Sequence, residues 1–345
     1  MKKSVLSCLI IFIAIGFSIS LLAQDAASKS NCLDCHKKIN NKTFVHKPSK
    51  ESCENCHQPT GKPHPSDDEE GFALTDEIPK LCYSCHTPLN SKQTLHPPIK
   101  KGDCLECHDV HSSNEKNLVF AAPPDLCFFC HGDLEKRLDS SKSIHQVIKT
   151  GTSCVNCHSP HQSDQPKLLA FTEKEVCLKC HDKNIVKGQR NIINIKNELD
   201  RNKYVHGAIT KNGCSVCHEP HAASQKNLLK ETFTSATYVS GKTKDSLSLC
   251  FKCHNIALLE KEKDIEVTGF RNGNKNLHFK HVYKAKGRNC TNCHGVHSGP
   301  NEFLLVDNAK FGQWTMPLKF TKTEEGGKCI TACHAPKEYS KLPSK

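Results

Sequence analysis

A Cys-x-x-Cys-His pentapeptide recurs ten times along this chain, and an eleventh copy, CITACH from Cys329, carries one extra residue between its cysteines. This spacing is the attachment signature of c-type haem: two thiols form thioethers with the macrocycle, and the next histidine is held under the iron. The first five copies are Cys32–Cys35–His36, Cys53–Cys56–His57, Cys82–Cys85–His86, Cys104–Cys107–His108 and Cys127–Cys130–His131. The next five are Cys154–Cys157–His158, Cys177–Cys180–His181, Cys214–Cys217–His218, Cys250–Cys253–His254 and Cys290–Cys293–His294. The variant is Cys329–Cys333–His334. Zinc would need paired half-sites and no histidine after every second cysteine, and a thioredoxin-like redox pair or a disulfide scaffold fails the same test. Of the 23 cysteines, 22 lie in motifs and Cys8 sits in the apolar N-terminal stretch, so none is left for a structural disulfide in the mature protein.

The histidines carry the argument further. The chain has 22, and eleven belong to motifs. The others are His46, His64, His96, His111, His145, His161, His206, His221, His278, His281 and His297. Each haem iron has two axial positions, so eleven irons need as many histidines as the chain contains. Met1 and Met316 are the only methionines, so Met/His ligation has almost no supply. The expectation is bis-histidine ligation throughout, with the motif histidine on one side and a free histidine on the other. That coordination favours lower potentials than a Met/His pair.

Motifs and free histidines together define a repeat. A histidine is followed seven to nine residues later by a first motif, and a second histidine lies three residues past that motif. A second motif follows, about sixteen residues on where no insertion intervenes. His96, CLECHDVH and CFFCH form one copy; His145, CVNCHSPH and CLKCH the next; His206, CSVCHEPH and CFKCH another; His281, CTNCHGVH and CITACH the last. His46, CENCH, His64 and CYSCH make a degenerate first copy. The implied organisation is a leader over 1–23, a single-haem segment over 24–45, and two-haem units over 46–95, 96–144, 145–205, 206–277 and 278–345. Leu118, Leu168, Leu228 and Leu304 recur seven residues after the second histidine, either packing on a haem face or marking a turn and strand connector.

Five units use ten haems and ten free histidines. The haem at Cys32–His36 and His278 are left over, at opposite ends of the sequence. A histidine three residues past its own motif cannot easily return to the same iron, so the expectation is that sixth ligands are exchanged between neighbouring units. In a sharper form of this idea, His278 ligates a haem of a neighbouring subunit.

Composition agrees with a haem-cored chain. Only 36% of the residues are apolar, too few for an ordinary core at this length. The fold class expected is mostly irregular with short α-helices just after the motifs, an extended array of two-haem repeats with haems as the core. Asn191–Tyr204 reads as a longer helix, and it and Lys230–Leu249 are insertions in the fourth unit. Pro97-Pro98 and Pro123-Pro124 read as extended connectors, and Trp314 as a packing residue. The net charge of +12 falls to +10 without Lys2 and Lys3. Two propionates on each of eleven haems would take the loaded protein to about −12. The charge therefore gives no support for nucleic acid, and basic and aromatic residues are not interleaved as such a partner requires.

Met1-Lys2-Lys3 precedes an uncharged, mostly apolar run from Val5 to Ala23, the pattern of a cleaved export signal, with an uncleaved anchor as the alternative. Export fits the motif reading, because c-type haem is attached outside the cytoplasm. The location expected is periplasmic, outer-membrane-associated or extracellular.

With CHDVH, CHSPH, CHEPH and CHGVH in paired motifs, the chain resembles the doubled-CxxCH multihaem cytochromes, and in size and haem density it is similar to decahaem cytochromes that sit in outer-membrane porins. The resemblance implies covalent haem c, electron transfer in anaerobic respiration, and redox protein partners: an outer-membrane porin, an extracellular cytochrome or further copies of the chain. The eleventh motif and the unit length, which grows toward the C-terminus, depart from the decahaem pattern. Two other readings stay open. One is a reductase of a small nitrogen or sulfur oxyanion, which needs an iron with an open position; CITACH is its best candidate, although all eleven motifs end in histidine and no catalytic residue stands out. The other is a subunit of an extracellular cytochrome filament.

Overall fold

The computed structural model describes residues 32–188, 190–239 and 243–343. The expected leader and Cys8 lie outside them. No helix among the described residues is long and apolar enough to cross a membrane.

Most of the chain is irregular, with short helices and two-stranded ribbons. Helical turns lie on the motifs themselves, and short helices also follow some of them, as Gly132–Ser140 follows His131 and Ala257–Glu260 follows His254. In nine motifs the histidine N–H donates to the carbonyl of the first cysteine at 2.9–3.2 Å, closing one helical turn. That turn brings both thiols and the imidazole to one side of the backbone. Both proline pairs open helices instead of extended connectors. Pro97 and Pro98 sit in the first turn of Pro97–Lys101, and Pro124 caps Asp125–Phe128. A first helical turn has no use for the missing N–H, and the fixed φ already suits it. Asn191–Tyr204 is shorter as a helix than expected: Arg190–Ile192 pairs with Ile185–Lys187, and only Ile195–Arg201 is helical, capped by Asn194.

One junction recurs four times. A two-residue strand before the first free histidine of a unit pairs antiparallel with two residues after the CHxxH of the next. Phe44–Val45 pairs with Ser112–Ser113, Thr94–Leu95 with Gln162–Ser163, Ser143–Ile144 with Ala222–Ala223, and Tyr204–Val205 with Ser298–Gly299. Each ribbon ends on a bond between two free histidines. The N–H groups of His46, His96, His145 and His206 donate to the carbonyls of His111, His161, His221 and His297 at 2.8–2.9 Å.

The recurring leucines are turn residues. Asn117–Leu118, Lys167–Leu168, Asn227–Leu228 and Phe303–Leu304 all have φ between 57° and 61°. Two successive left-handed residues reverse the chain, and the strand beyond bridges back to the motif histidines 108, 158, 218 and 294.

The polypeptide's own apolar core is small. Leu247, Leu259, Val239 and Val282 form one cluster, built in part from the Lys230–Leu249 insertion, and Leu138, Ile148 and Ala222 form another. Large apolar side chains elsewhere are exposed, including Phe129 (70%) within CFFCH.

The C-terminus departs most from the expected fold. Asn308–Phe311, Trp314–Lys322, Gly326–Thr331 and His334–Ser340 form a four-stranded antiparallel sheet. CITACH spans its last hairpin, with Thr331 opposite His334. Trp314 is not packed: it is 72% exposed, because the tight turn at Gly312 (φ +59°) places it at a hairpin end.

Candidate haem sites

The 22 histidines come together as eleven pairs, each joining one motif histidine to one free histidine. Within units, His46 faces His86, His96 faces His131, His145 faces His181, His206 faces His254 and His281 faces His334, with ring centroids 6.0–6.4 Å apart. Across junctions, His111 faces His57, His161 faces His108, His221 faces His158 and His297 faces His218 at 5.9–6.3 Å. The two ends complete the set: His64 faces His36 at 5.9 Å, and His278 faces His294 at 6.4 Å.

The separation is the size of a metal ion with two imidazole bonds. Two metal–nitrogen distances of about 2 Å and two ring radii of about 1.1 Å sum to about 6.2 Å. Ten pairs are within 4–26° of parallel, and His281–His334 is tilted by 47°.

The free histidine of a CHxxH turns away from its own motif, to the motif one unit back. His64 of the degenerate first unit reaches the leftover Cys32–His36 segment in the same way. For His294 the facing ring is His278, from within the same unit. It lies three residues from His281, beside a single turn of π-helix over Phe279–Tyr283. An intersubunit partner for His278 is therefore not what the geometry gives: its ring faces its own chain.

The imidazoles are held as ligands need to be. Nδ1 of His108, His158, His218 and His294 lies 2.7–3.0 Å from the carbonyls of Asn117, Lys167, Asn227 and Phe303, the left-handed turns described above. Nδ1 of His46 and His145 meets the carbonyls of Val110 and Pro220 at 2.9 Å. His281 meets Leu277 at 2.7 Å, and His278 meets Thr268 Oγ1 at 3.0 Å. Such bonds fix the tautomer and leave the Nε2 lone pair for a metal. Burial, followed by the His294 and His281 rings, pushes His278 down to about 4. Burial likewise lowers His96, His111, His161, His206, His221 and His294. Neutral imidazole is the ligand form.

Consecutive motifs are close through their thiols. First cysteines are neighbours at junctions, near enough to shift one another's titration: Cys53 and Cys32, Cys82 and Cys104, Cys127 and Cys154, Cys177 and Cys214, and Cys250 and Cys290. Second cysteines are neighbours within units: Cys107 and Cys130, Cys157 and Cys180, Cys217 and Cys253, and Cys293 and Cys333. Cys56 lies near Cys82. Each motif thus has its sequence neighbours beside it, through first cysteines at junctions and mostly through second cysteines within units.

Two further observations fit haem. The exposed Phe129 and Phe120 beside the cysteines offer apolar surface to a macrocycle. Arg288 is stacked between Tyr238 (4.4 Å) and Phe311 (4.8 Å), close to Cys293, and its Nη1 is buried with no protein partner. A fixed guanidinium of this kind suits a carboxylate such as a haem propionate. Neither Arg288 nor the turn carbonyls stood out in the sequence, although the repeated Asn-Leu, Lys-Leu and Phe-Leu pairs carried the signal for the turns.

The family model described as the doubled CXXCH motif matches residues 46–91, 96–136, 145–185 and 206–257. These stretches make up just over half of the chain and coincide with the first four two-haem units. The Cys32 segment and the unit ending in CITACH lie outside the match. No curated protein matches the chain. The matched repeats and the motifs within them carry covalently attached haem c and an electron-transfer role, so the chain belongs to the doubled CXXCH motif family of multihaem c-type cytochromes.

Proposed function

We propose that the protein carries eleven haems c, each ligated by one of the eleven histidine pairs, and conducts electrons along them in sequence order. The observation that carries this reading is the set of eleven iron-sized gaps, which uses every histidine of the chain once. Haem supplies reversible one-electron transfer at the iron when bound. The chain supplies two neutral imidazoles per site, a carbonyl or side chain fixing many of them, and junctions that hold neighbouring sites in register. Arg288 holds a propionate of one of the last two haems.

A single-file array suits transfer over distance. We place the protein as a conduit at or beyond the outer membrane, passing electrons between periplasmic donors and outer-membrane or extracellular acceptors through redox protein partners. A filament in which one subunit completes a haem of the next loses support, because no histidine is left over. The reductase reading keeps one specific observation: the 47° tilt of His281 against His334, on the one motif built into a hairpin.

The deciding experiment is electron paramagnetic resonance of the fully oxidised protein, with spins counted against haem iron. Eleven low-spin centres per chain are expected. A high-spin signal from one iron would move the reductase reading to the front, with CITACH as its site. Fewer than eleven haems per chain by mass would refute the count.

A further inference from the structure

The helix just before His206 brings a carboxylate to a histidine of the fifth unit. Glu198 lies on the helix Ile195–Arg201, and its side chain is only 15% exposed. Among the described residues, the polar partner of its carboxylate is Nδ1 of His297, at 3.4 Å. The helix is tied to the next residue independently: Ser298 Oγ donates to the Glu198 carbonyl, and Asn202 Nδ2 donates to Ser298 Oγ, both at 2.9 Å. A carboxylate withdrawn from water with no lysine or arginine beside it is costly unless a donor meets it. Here the donor is the imidazole N–H.

The other units supply a comparison. Two residues before the second histidine of each CHxxH stand Asp109, Ser159, Glu219 and Gly295. Asp109 accepts from the backbone N–H of His111, and Glu219 lies 3.8 Å from Nδ1 of His221. In the fifth unit this local acid is missing. A Cβ at Gly295 would fall 2.0 Å from the carbonyl oxygen of Ser298, so the turn admits no side chain. The acid beside His297 arrives instead from the Glu198 helix, about a hundred residues earlier in the chain.

We propose that Glu198 is a positioning residue that holds His297 through Nδ1 and lowers the potential of the haem between His218 and His297. The inference rests on the ligation read above. A carboxylate on the outer nitrogen makes the imidazole a stronger donor and favours ferric over ferrous iron. His161, with Ser159 in place of an acid, belongs to a haem that lacks this effect.

The test is a spectroelectrochemical titration of the full haem-loaded protein against Glu198→Gln, which keeps the shape and an acceptor oxygen but removes the charge. One haem in eleven should move to higher potential by about tenfold in its reduction equilibrium, about 59 mV for one electron, with the other ten unmoved. Glu198→Asp, which keeps the charge but draws it back, should move the same haem the same way by less. Titrations that superimpose on the wild type, at full haem loading, would overturn the role of Glu198. A parallel His297→Ala protein separates the two ideas. One new high-spin iron supports His297 as a ligand, and an unchanged low-spin count overturns both that ligation and the inference built on it.

Discussion

Replacing His278 by Ala removes the one free histidine that has no counterpart in the repeat, and the consequence can be worked through. The ring faces His294 at 6.4 Å, bonds Thr268 Oγ1 at 3.0 Å and meets Phe270 edge-on at 5.2 Å. Losing the hydrogen bond costs about 1 kcal/mol, and losing the packed ring costs about 2 kcal/mol. A total of about 3 kcal/mol is below the 5–15 kcal/mol that typically holds a domain, so the array should still form. What changes is one iron: the haem at Cys290–Cys293 keeps His294 and loses its partner. Electron paramagnetic resonance should show one high-spin centre in eleven, and added imidazole should return it to low spin. Sedimentation should show a particle of unchanged size. A complete low-spin count without imidazole would refute the pairing, and a smaller particle on sedimentation would restore the idea that His278 reaches a neighbouring subunit.

Two other outcomes follow from the repeat. Lys167 has φ 57° where two other units place Asn117 and Asn227; asparagine tolerates this region, so Lys167→Asn should stabilise the protein by about 0.5–1 kcal/mol, read as a higher denaturant midpoint at constant slope. A lower or unmoved midpoint would mean that the turn is not strained by lysine. Excising residues 96–144 joins Leu95 to His145 and leaves His161 to face His57, with Phe44–Val45 free to pair with Gln162–Ser163 as it now pairs with Ser112–Ser113. The shortened chain should carry nine low-spin haems by mass and spin count; a high-spin iron at the new junction would show that the units are not interchangeable.

The haem chemistry was legible in the sequence because attachment is local. Two thiols and an imidazole within five residues need only one helical turn to reach one side of the backbone, and that turn forms at nine motifs. The free histidines were legible as a set, since their number matched the second axial positions. Their partners were less so. The haem at Cys32–His36 and His278 looked unmatched because His64, counted within the first unit, turns to His36, and His278 turns to His294. The C-terminal sheet was missed because its strands follow no repeat, and Trp314 was misread because its exposure depends on a hairpin turn.

The sequence by itself determined the cofactor class, the attachment points and a supply of two imidazoles per site, all properties of residue type and short spacing. The tertiary structure decided which imidazole faces which. His111 reaches His57 across 54 residues because two-residue strands join one unit to the next. It also decided what stands behind each imidazole: a left-handed turn carbonyl behind His158, and a carboxylate from a distant helix behind His297. A contact between units depends on how the chain returns on itself, and no window of sequence short enough to read as a motif contains both partners.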